Sequence, residues 1–161
     1  IRYADIPALF RILTKPEVNQ FLSIEVPDSE DDIKKNIKFA MMDWNAEIGL
    51  SYCIMLGSEV IGAVNLYNIR WHYSRGEVGI YLDTPYWKKG YGTKILAKMI
   101  DYAFTSLGLH RLEARVYPEN ESSIRLFEKM GFEKEGVCRH FIQNLMGEWQ
   151  DVIQYSLIST K

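Results

Sequence analysis

The chain has 161 residues, of which 47% are hydrophobic and 25% charged, with a net charge of −2 and a pI near 6.0. That length suits one domain with a sizeable core and is cramped for two, and the composition argues against disorder. The near-neutral charge gives no general attraction for nucleic acid or anionic lipid, and no apolar run reaches the roughly 18 to 20 residues of a membrane-spanning helix.

Asp5 is placed to cap a first helix over about 5–14, in which Leu9, Phe10 and Leu13 form one apolar face before Pro16 closes it. A connecting segment over 24–28 leads to a second helix over about 29–44. Its early Glu30, Asp31 and Asp32 and later Lys34, Lys35 and Lys38 suit the helix dipole. From Leu50 the period changes to two: Tyr52, Ile54 and Leu56 alternate with smaller or polar residues, and Gly57-Ser58 turns the chain into a strand over 60–67. A third strand over 77–82 puts Val78, Ile80 and Leu82 on one face and Glu77, Gly79 and Tyr81 on the other. The spacing of Ile95, Leu96, Met99, Ile100, Ala103, Phe104 and Leu107 predicts a helix over about 91–106, and 112–117 reads as a strand parallel to the third, joined by a right-handed crossover. Asn120 opens a short helix to about Met130, ended by Gly131-Phe132 with Phe132 touching Phe127 as a Schellman cap requires. A last hairpin covers about 133–144 and 148–157, turned near Gly147.

Cys53 and Cys138 lie in apolar alternating runs without metal-ligand spacing, so they are expected to be buried free thiols in a reducing cytoplasm. His72, His110 and His140 form no metal constellation. There is no secretory segment, and because the chain begins without Met a short leading segment is expected to be missing.

The stretch that carries chemistry is Tyr86-Trp87-Lys88-Lys89-Gly90-Tyr91-Gly92-Thr93, between a strand and an amphipathic helix. Free N–H groups at a helix start, the helix dipole and glycines that admit a ligand closely make a pyrophosphate cradle, and Lys88 and Lys89 add positive charge. Gly-x-Gly alone is a weak signal. A dinucleotide fingerprint would need a third glycine near Ile95 and a Walker loop would need Gly-Lys-Ser/Thr, and neither is present.

Here the chain resembles the GNAT acetyltransferases, whose coenzyme A loop reads Gln/Arg-x-x-Gly-x-Gly/Ala. Trp87 in the first position is similar to the branch that holds the ribosomal-protein N-terminal acetyltransferases RimJ and RimL and the bacterial spermidine acetyltransferases. The resemblance continues in Asn120-x-x-Ser123, in Phe127-Glu128-Lys129-Met130-Gly131-Phe132 and in Gly147-Glu148-Trp149-x-Asp151, and spans about 60–157. It implies an α/β (α+β) fold: one domain over 1–161, with a mixed, mostly antiparallel central sheet, a parallel splayed strand pair and flanking helices, its first strand truncated or missing. It also implies acetyl-CoA as cosubstrate. Ile80, Leu82 and Asp83 would offer main-chain groups to the pantetheine arm, Lys88, Lys89, Gly90, Tyr91, Gly92 and Thr93 would hold the pyrophosphate, and Asn120 would bond the pantetheine. Ser122, Ser123, Phe127 and Lys129 would line its far side. Taken one at a time, Asn120 is also a sound N-cap, Phe127 a core residue and Lys129 a solvated charge.

Acetyl transfer needs a neutral amine, stabilisation of an oxyanion and a proton for the departing thiolate. By the same resemblance Glu77 is the candidate general base; the alternative is an edge carboxylate paired with Arg70, Arg75 or Arg115. Phe127 stands where many relatives carry a tyrosine, so Ser123 is the candidate general acid, with Tyr81, Tyr91, Tyr117 or water as alternatives. Glu25, Asp28, Glu30, Asp31 and Asp32 could attract a cationic amine, and Trp71, His72, Tyr73, Phe141 and Trp149 could shape an acceptor groove. The resemblance implies an amine acceptor, first a protein N-terminus, then spermidine or an aminoglycoside; an inactive acyl-CoA-binding module is the alternative of another class. A homodimer is possible, and no nucleic acid or membrane partner is expected.

Overall fold

A computed structural model describes residues 1–22, 25–144 and 147–160. Residue 24, where the connecting segment was expected to begin, lies outside them. Helix α1 (Ile6–Leu13) has Pro7 in its first turn and buries Leu9, Ile12 and Leu13. Asp5 does not cap it: its carboxylate turns back to accept the Arg2 N–H at 2.7 Å. Pro16 does more than end this helix. Its fixed φ and missing N–H suit a first helical position, and it opens a single turn, α2 (Pro16–Asn19). Helix α3 (Glu30–Asn45) starts on a Ser29/Asp32 capping box and buries only Ile33 and Ile37, as its charge pattern dictates.

The strands are β1 (Leu50–Leu56), β2 (Glu59–Arg70), β3 (Arg75–Leu82), β4 (Arg111–Val116), β5 (Glu133–Gln143) and β6 (Trp149–Ile158). They form one sheet in the order β1-β2-β3-β4-β6-β5, antiparallel throughout except for the parallel pair β3–β4. That pair joins only Arg75 to Arg111, Gly76 to Leu112 and Glu77 to Glu113; β3 then continues to Leu82 and β4 to Val116 without a partner between them.

Helix α4 (Tyr91–Asp101) and α5 (Glu121–Lys129) cover the face made by Val64, Leu66, Val78, Leu112, Ala114 and Tyr155. Helices α1 and α3 cover the other face at its β1–β2 end, over Val60, Cys53 and Tyr81. Beyond β3 that second face carries polar residues instead. The helix expected over 91–106 is α-helical only to Asp101; 102–106 is a π-helix, closed by Leu107 N to Tyr102 O at 3.1 Å. The wider turn leaves Ala103 fully buried and lets its carbonyl accept from Leu109. Helix α5 ends as its sequence predicts: Gly131 sits at φ 85°, Phe132 N donates to Phe127 O at 3.0 Å, and the two rings meet edge to face. Among the described residues no helix is long and apolar enough to cross a membrane.

Candidate active site

At the end of β3 the chain makes a 3-10 turn, 84–86, whose first N–H is accepted by the Asp83 carboxylate at 2.7 Å. Lys88 at φ 58° and Gly90 at φ 81° then bend the backbone through two left-handed positions into α4. The lysine conformation is uncommon for a side-chain-bearing residue, and such positions cluster where a loop is shaped for a ligand. The first helical bond runs from Lys94 N to Gly90 O, so among the described residues the main-chain N–H groups from Lys88 to Thr93 have no acceptor in the chain. They converge with the positive end of the α4 dipole and with exposed Lys88 and Lys89, which is the arrangement an anionic diphosphate needs. Trp87 is tied down by its indole N–H, which donates to Leu82 O at 2.7 Å.

The parted strands lie beside this cradle. Past Glu77 the β4-facing edge of β3, with Ile80 and Leu82, has no strand against it among the described residues. Asp83 departs from the expectation: its N–H already donates to Ile61 O at 2.8 Å, its carbonyl accepts from Tyr86 N, and its carboxylate is held by Arg11, Lys15 and Thr84 N. It is a fastening point and not a strand edge open to a ligand.

On the far side of the gap, Asn120 caps α5 by accepting the Ser123 N–H at 3.1 Å, and its amide nitrogen has no partner among the described residues. Ser123 is half-buried, and its hydroxyl has no partner among the described residues. Ser122 and Lys129 are exposed on the same helix. Phe127 is 4% exposed and packed on Phe132. Its ring belongs to the core beneath α5.

On the sheet face opposite α4 and α5, a cleft of about 250 Å³ is lined by Asn68, Arg70, Arg75, Gly76, Glu77, Glu113 and Arg115. Glu77 is buried there; Arg115 donates to one of its oxygens at 2.5 Å and Asn68 to the other at 3.0 Å. The Arg115 pairing weighed from the sequence is therefore present. Asn68 reaches Glu77 because it sits at φ 51° in a bulge between Tyr67 and Arg70, an irregularity that re-aims side chains. Nothing in the sequence pattern marked it. Tyr67 stands behind, its hydroxyl pushed up to about 12 by burial and by the Glu77 charge. Glu113 accepts from Arg75 and Arg111, and Arg111 forks onto Glu135 at 2.7 and 2.6 Å. Phe141 lies 4.7 Å from the Arg115 guanidinium, and Phe21 meets Tyr117 near the end of β4, so both flank this region.

The remaining aromatic and acidic candidates divide. Trp71, His72 and Tyr73 sit in the turn before β3, at the opposite end of that strand from the cradle, and the Trp71 indole is committed to Glu47 O at 2.6 Å. Trp149 is exposed at the start of β6, paired with Gln143. Tyr81 packs into the cluster under α1 and α3, and Tyr91 stands edge-on to Tyr86. Of the acidic set, Asp32 is used in the capping box and against Lys35. Among the described residues no three His, Cys, Asp or Glu side chains cluster as metal ligands. Cys53 and Cys138 are free and half-buried.

Residues 1–133 match the acetyltransferase (GNAT) domain family, so the chain belongs to that family. It is an acetyl-CoA-dependent N-acetyltransferase. The chain is 34% identical over 158 residues to the uncharacterized N-acetyltransferase p20 of Bacillus licheniformis, covering 96% of this chain and 87% of that protein. Its fold is shared with Mycobacterium smegmatis RimJ in complex with CoA-disulfide (TM-score 0.90, 22% identity, covering 99% of this chain and 79% of that one). It is shared too with the Vibrio cholerae spermidine N-acetyltransferase in complex with CoA and spermine (TM-score 0.85, 22% identity, covering 100% of this chain and 94% of that one). The residues present fit the cosubstrate: the free N–H run and lysines suit its pyrophosphate, and the parted strands offer main-chain groups to its amide-bearing arm.

Proposed function

We propose that this enzyme acetylates the α-amino group of a protein or peptide N-terminus, bound in the cleft around Glu77. The observation that carries this reading is the charge of that cleft. Arg70, Arg75 and Arg115 face it against Glu77 and Glu113, and Arg70 has no ion-pair partner among the described residues. A polyamine with several positive charges would meet net repulsion there, whereas a peptide brings one ammonium group together with carbonyls that guanidinium groups can bind.

In this reading Lys88, Lys89, Gly90, Tyr91, Gly92 and Thr93 hold the pyrophosphate, main-chain groups of Ile80 and Leu82 bond the pantetheine, and Asn120 meets it from α5 with Ser122 and Lys129 nearby. Acetyl-CoA supplies the acetyl thioester. Glu77, steadied by Arg115 and Asn68, keeps lone pairs free to take a proton from the amine, because each carboxylate oxygen can accept more than one bond. Ser123, whose hydroxyl has no partner among the described residues, gives its proton to the departing thiolate and is reprotonated from solvent. Most of the acceleration then comes from holding two substrates in one geometry.

The test is thiol release from acetyl-CoA with short peptides bearing free N-termini, with spermidine, with an aminoglycoside and without amine. Turnover confined to the peptides is the expected result. Preferential turnover of spermidine would reject the N-terminal reading, and binding of CoA with no turnover on any amine would favour an inactive acyl-CoA-binding module.

A further inference from the structure

Asp83 is 0% exposed, and a charge so placed is strongly unfavourable unless it is fully paired. Its pairing is long-range. One oxygen accepts from Lys15 and from Thr84 N, the other from Arg11 Nη1 at 2.6 Å, so one cation of α1 and one from the link between α1 and α2 meet at the residue that follows β3. Burial alone would push this carboxyl up, but Lys15 and Arg11 outweigh it and hold it below the ordinary range. The main chain of Asp83 is pinned as well, by Ile61 O on one side and Tyr86 N on the other.

The contacts continue towards the cradle. Arg11 Nη2 lies 3.8 Å from Glu59, and Glu59 accepts the Tyr86 hydroxyl at 2.7 Å. The Tyr86 ring in turn lies 5.8 Å from the Lys89 ammonium and edge-on to Tyr91 at 6.0 Å. The branch from Arg11 through Glu59 and Tyr86 thus reaches Lys89 and Tyr91 of the anion-binding loop. Only the carboxylate of this cluster is buried, its cations reaching it from the surface, and such pairing is a poor source of stability compared with apolar packing, so its value here lies in geometry.

We propose that Asp83 is a positioning residue for the cosubstrate's pyrophosphate: by tying α1 to the 84–86 turn, and through Glu59 and Tyr86, it holds the loop from Trp87 to Tyr91 in its anion-binding shape. The inference rests on the reading that Lys88 to Thr93 take the pyrophosphate. A set of main-chain N–H groups binds by direction, and misplacement by an ångström is felt strongly.

The experiment compares acetyl-CoA with S-acetylpantetheine, which keeps the thioester and arm but lacks the pyrophosphate, in the wild type, Asp83→Asn and Tyr86→Phe. Calorimetric affinity for CoA is measured alongside. Asp83→Asn is expected to lower the kcat/KM ratio of acetyl-CoA to acetylpantetheine, and the CoA affinity, by about tenfold, with kcat at saturating acetyl-CoA within about twofold of wild type. Tyr86→Phe should move both in the same direction by less. Folded variants that keep the wild-type ratio and CoA affinity, or that lose both substrates equally, would overturn the proposal. If Asp83→Asn fails to fold, Tyr86→Phe decides, because its half-buried ring is kept and only the bond to Glu59 is lost. A wild-type enzyme with no preference for acetyl-CoA would remove the pyrophosphate reading and the proposal with it.

Discussion

Of the glycines, Gly62 has the least room for a side chain, and Gly62→Ala is the substitution with the best-defined cost. Gly62 stands opposite Leu82, and a β-carbon built on it would lie 2.2 Å from Tyr81 O and 2.9 Å from Leu82 Cα. Both are main-chain atoms, so no side chain can swing away. Restoring even a 3.0 Å contact parts β2 from β3 by about 0.8 Å, which stretches the neighbouring Asp83 N to Ile61 O bond past hydrogen-bonding length. Overpacking of this kind costs about 1–3 kcal/mol and the lost bond about 1 more, so a loss of roughly 2–4 kcal/mol is expected. For a domain of this size that lowers Tm by about 5–15 °C, measurable by circular dichroism and urea titration. The displaced end of β3 borders the strand gap, so CoA affinity should fall in the fraction that stays folded. Gly136→Ala is the control, since a β-carbon there meets nothing within 4 Å and no positive φ is required. A Gly62→Ala melt within about 1 °C of wild type would refute the reasoning.

Glu77→Gln should lower kcat at neutral pH by about 10²-fold or more, with a deficit that narrows as pH rises and the amine loses its proton unaided; unchanged turnover removes Glu77 as the base. Ser123→Ala should slow turnover with acetyl-CoA, and a near-normal rate would hand the thiolate's proton to water. Phe127→Ala should cost about 3–5 kcal/mol of stability, as for a buried ring, and a variant that melts normally but binds CoA poorly would refute the core role and favour the groove role. Arg111, and then the Ser156 hydroxyl, hold Glu135 at about 2 against an ordinary 4.5. Its contribution is therefore present above about pH 4.5 and lost as pH falls towards 2; it is modest because the side chain is well exposed. Stability profiles of wild type and Glu135→Gln should differ at neutral pH and converge in acid, and parallel profiles would discount the ion pair.

Local chemistry made much of the fold legible. The period of two from Leu50, the Gly57-Ser58 turn, the apolar face of the helix after Gly90 and the Gly131-Phe132 stop each depend on residues within a few positions of one another, and each stands where the pattern puts it. What escaped depends on distant partners. Asp83 meets Arg11 across 72 positions, a separation at which spacing carries no signal, and the Glu77–Arg115 pair, 38 positions apart, could be named only as one of three arginine alternatives. Asp5 looks like a cap from its neighbours, but its carboxylate turns to Arg2 instead. Phe127 shares a motif with groove residues, yet its side chain points into the core, a distinction of helix face that the motif alone did not draw. Gly62 could have been noticed, because a lone glycine inside a run of Val, Ile and Ala is a sign of close backbone approach.

The brevity of the β3–β4 seam has a mechanical side. With only three residue pairs between these strands, the sheet is two blades, β1-β2-β3 and β4-β6-β5, sewn at one end. A molecule laid in the open end becomes a tie-rod between them. The unliganded enzyme should breathe along this line before it melts anywhere else in the sheet, and saturation with CoA should stiffen both blades at once.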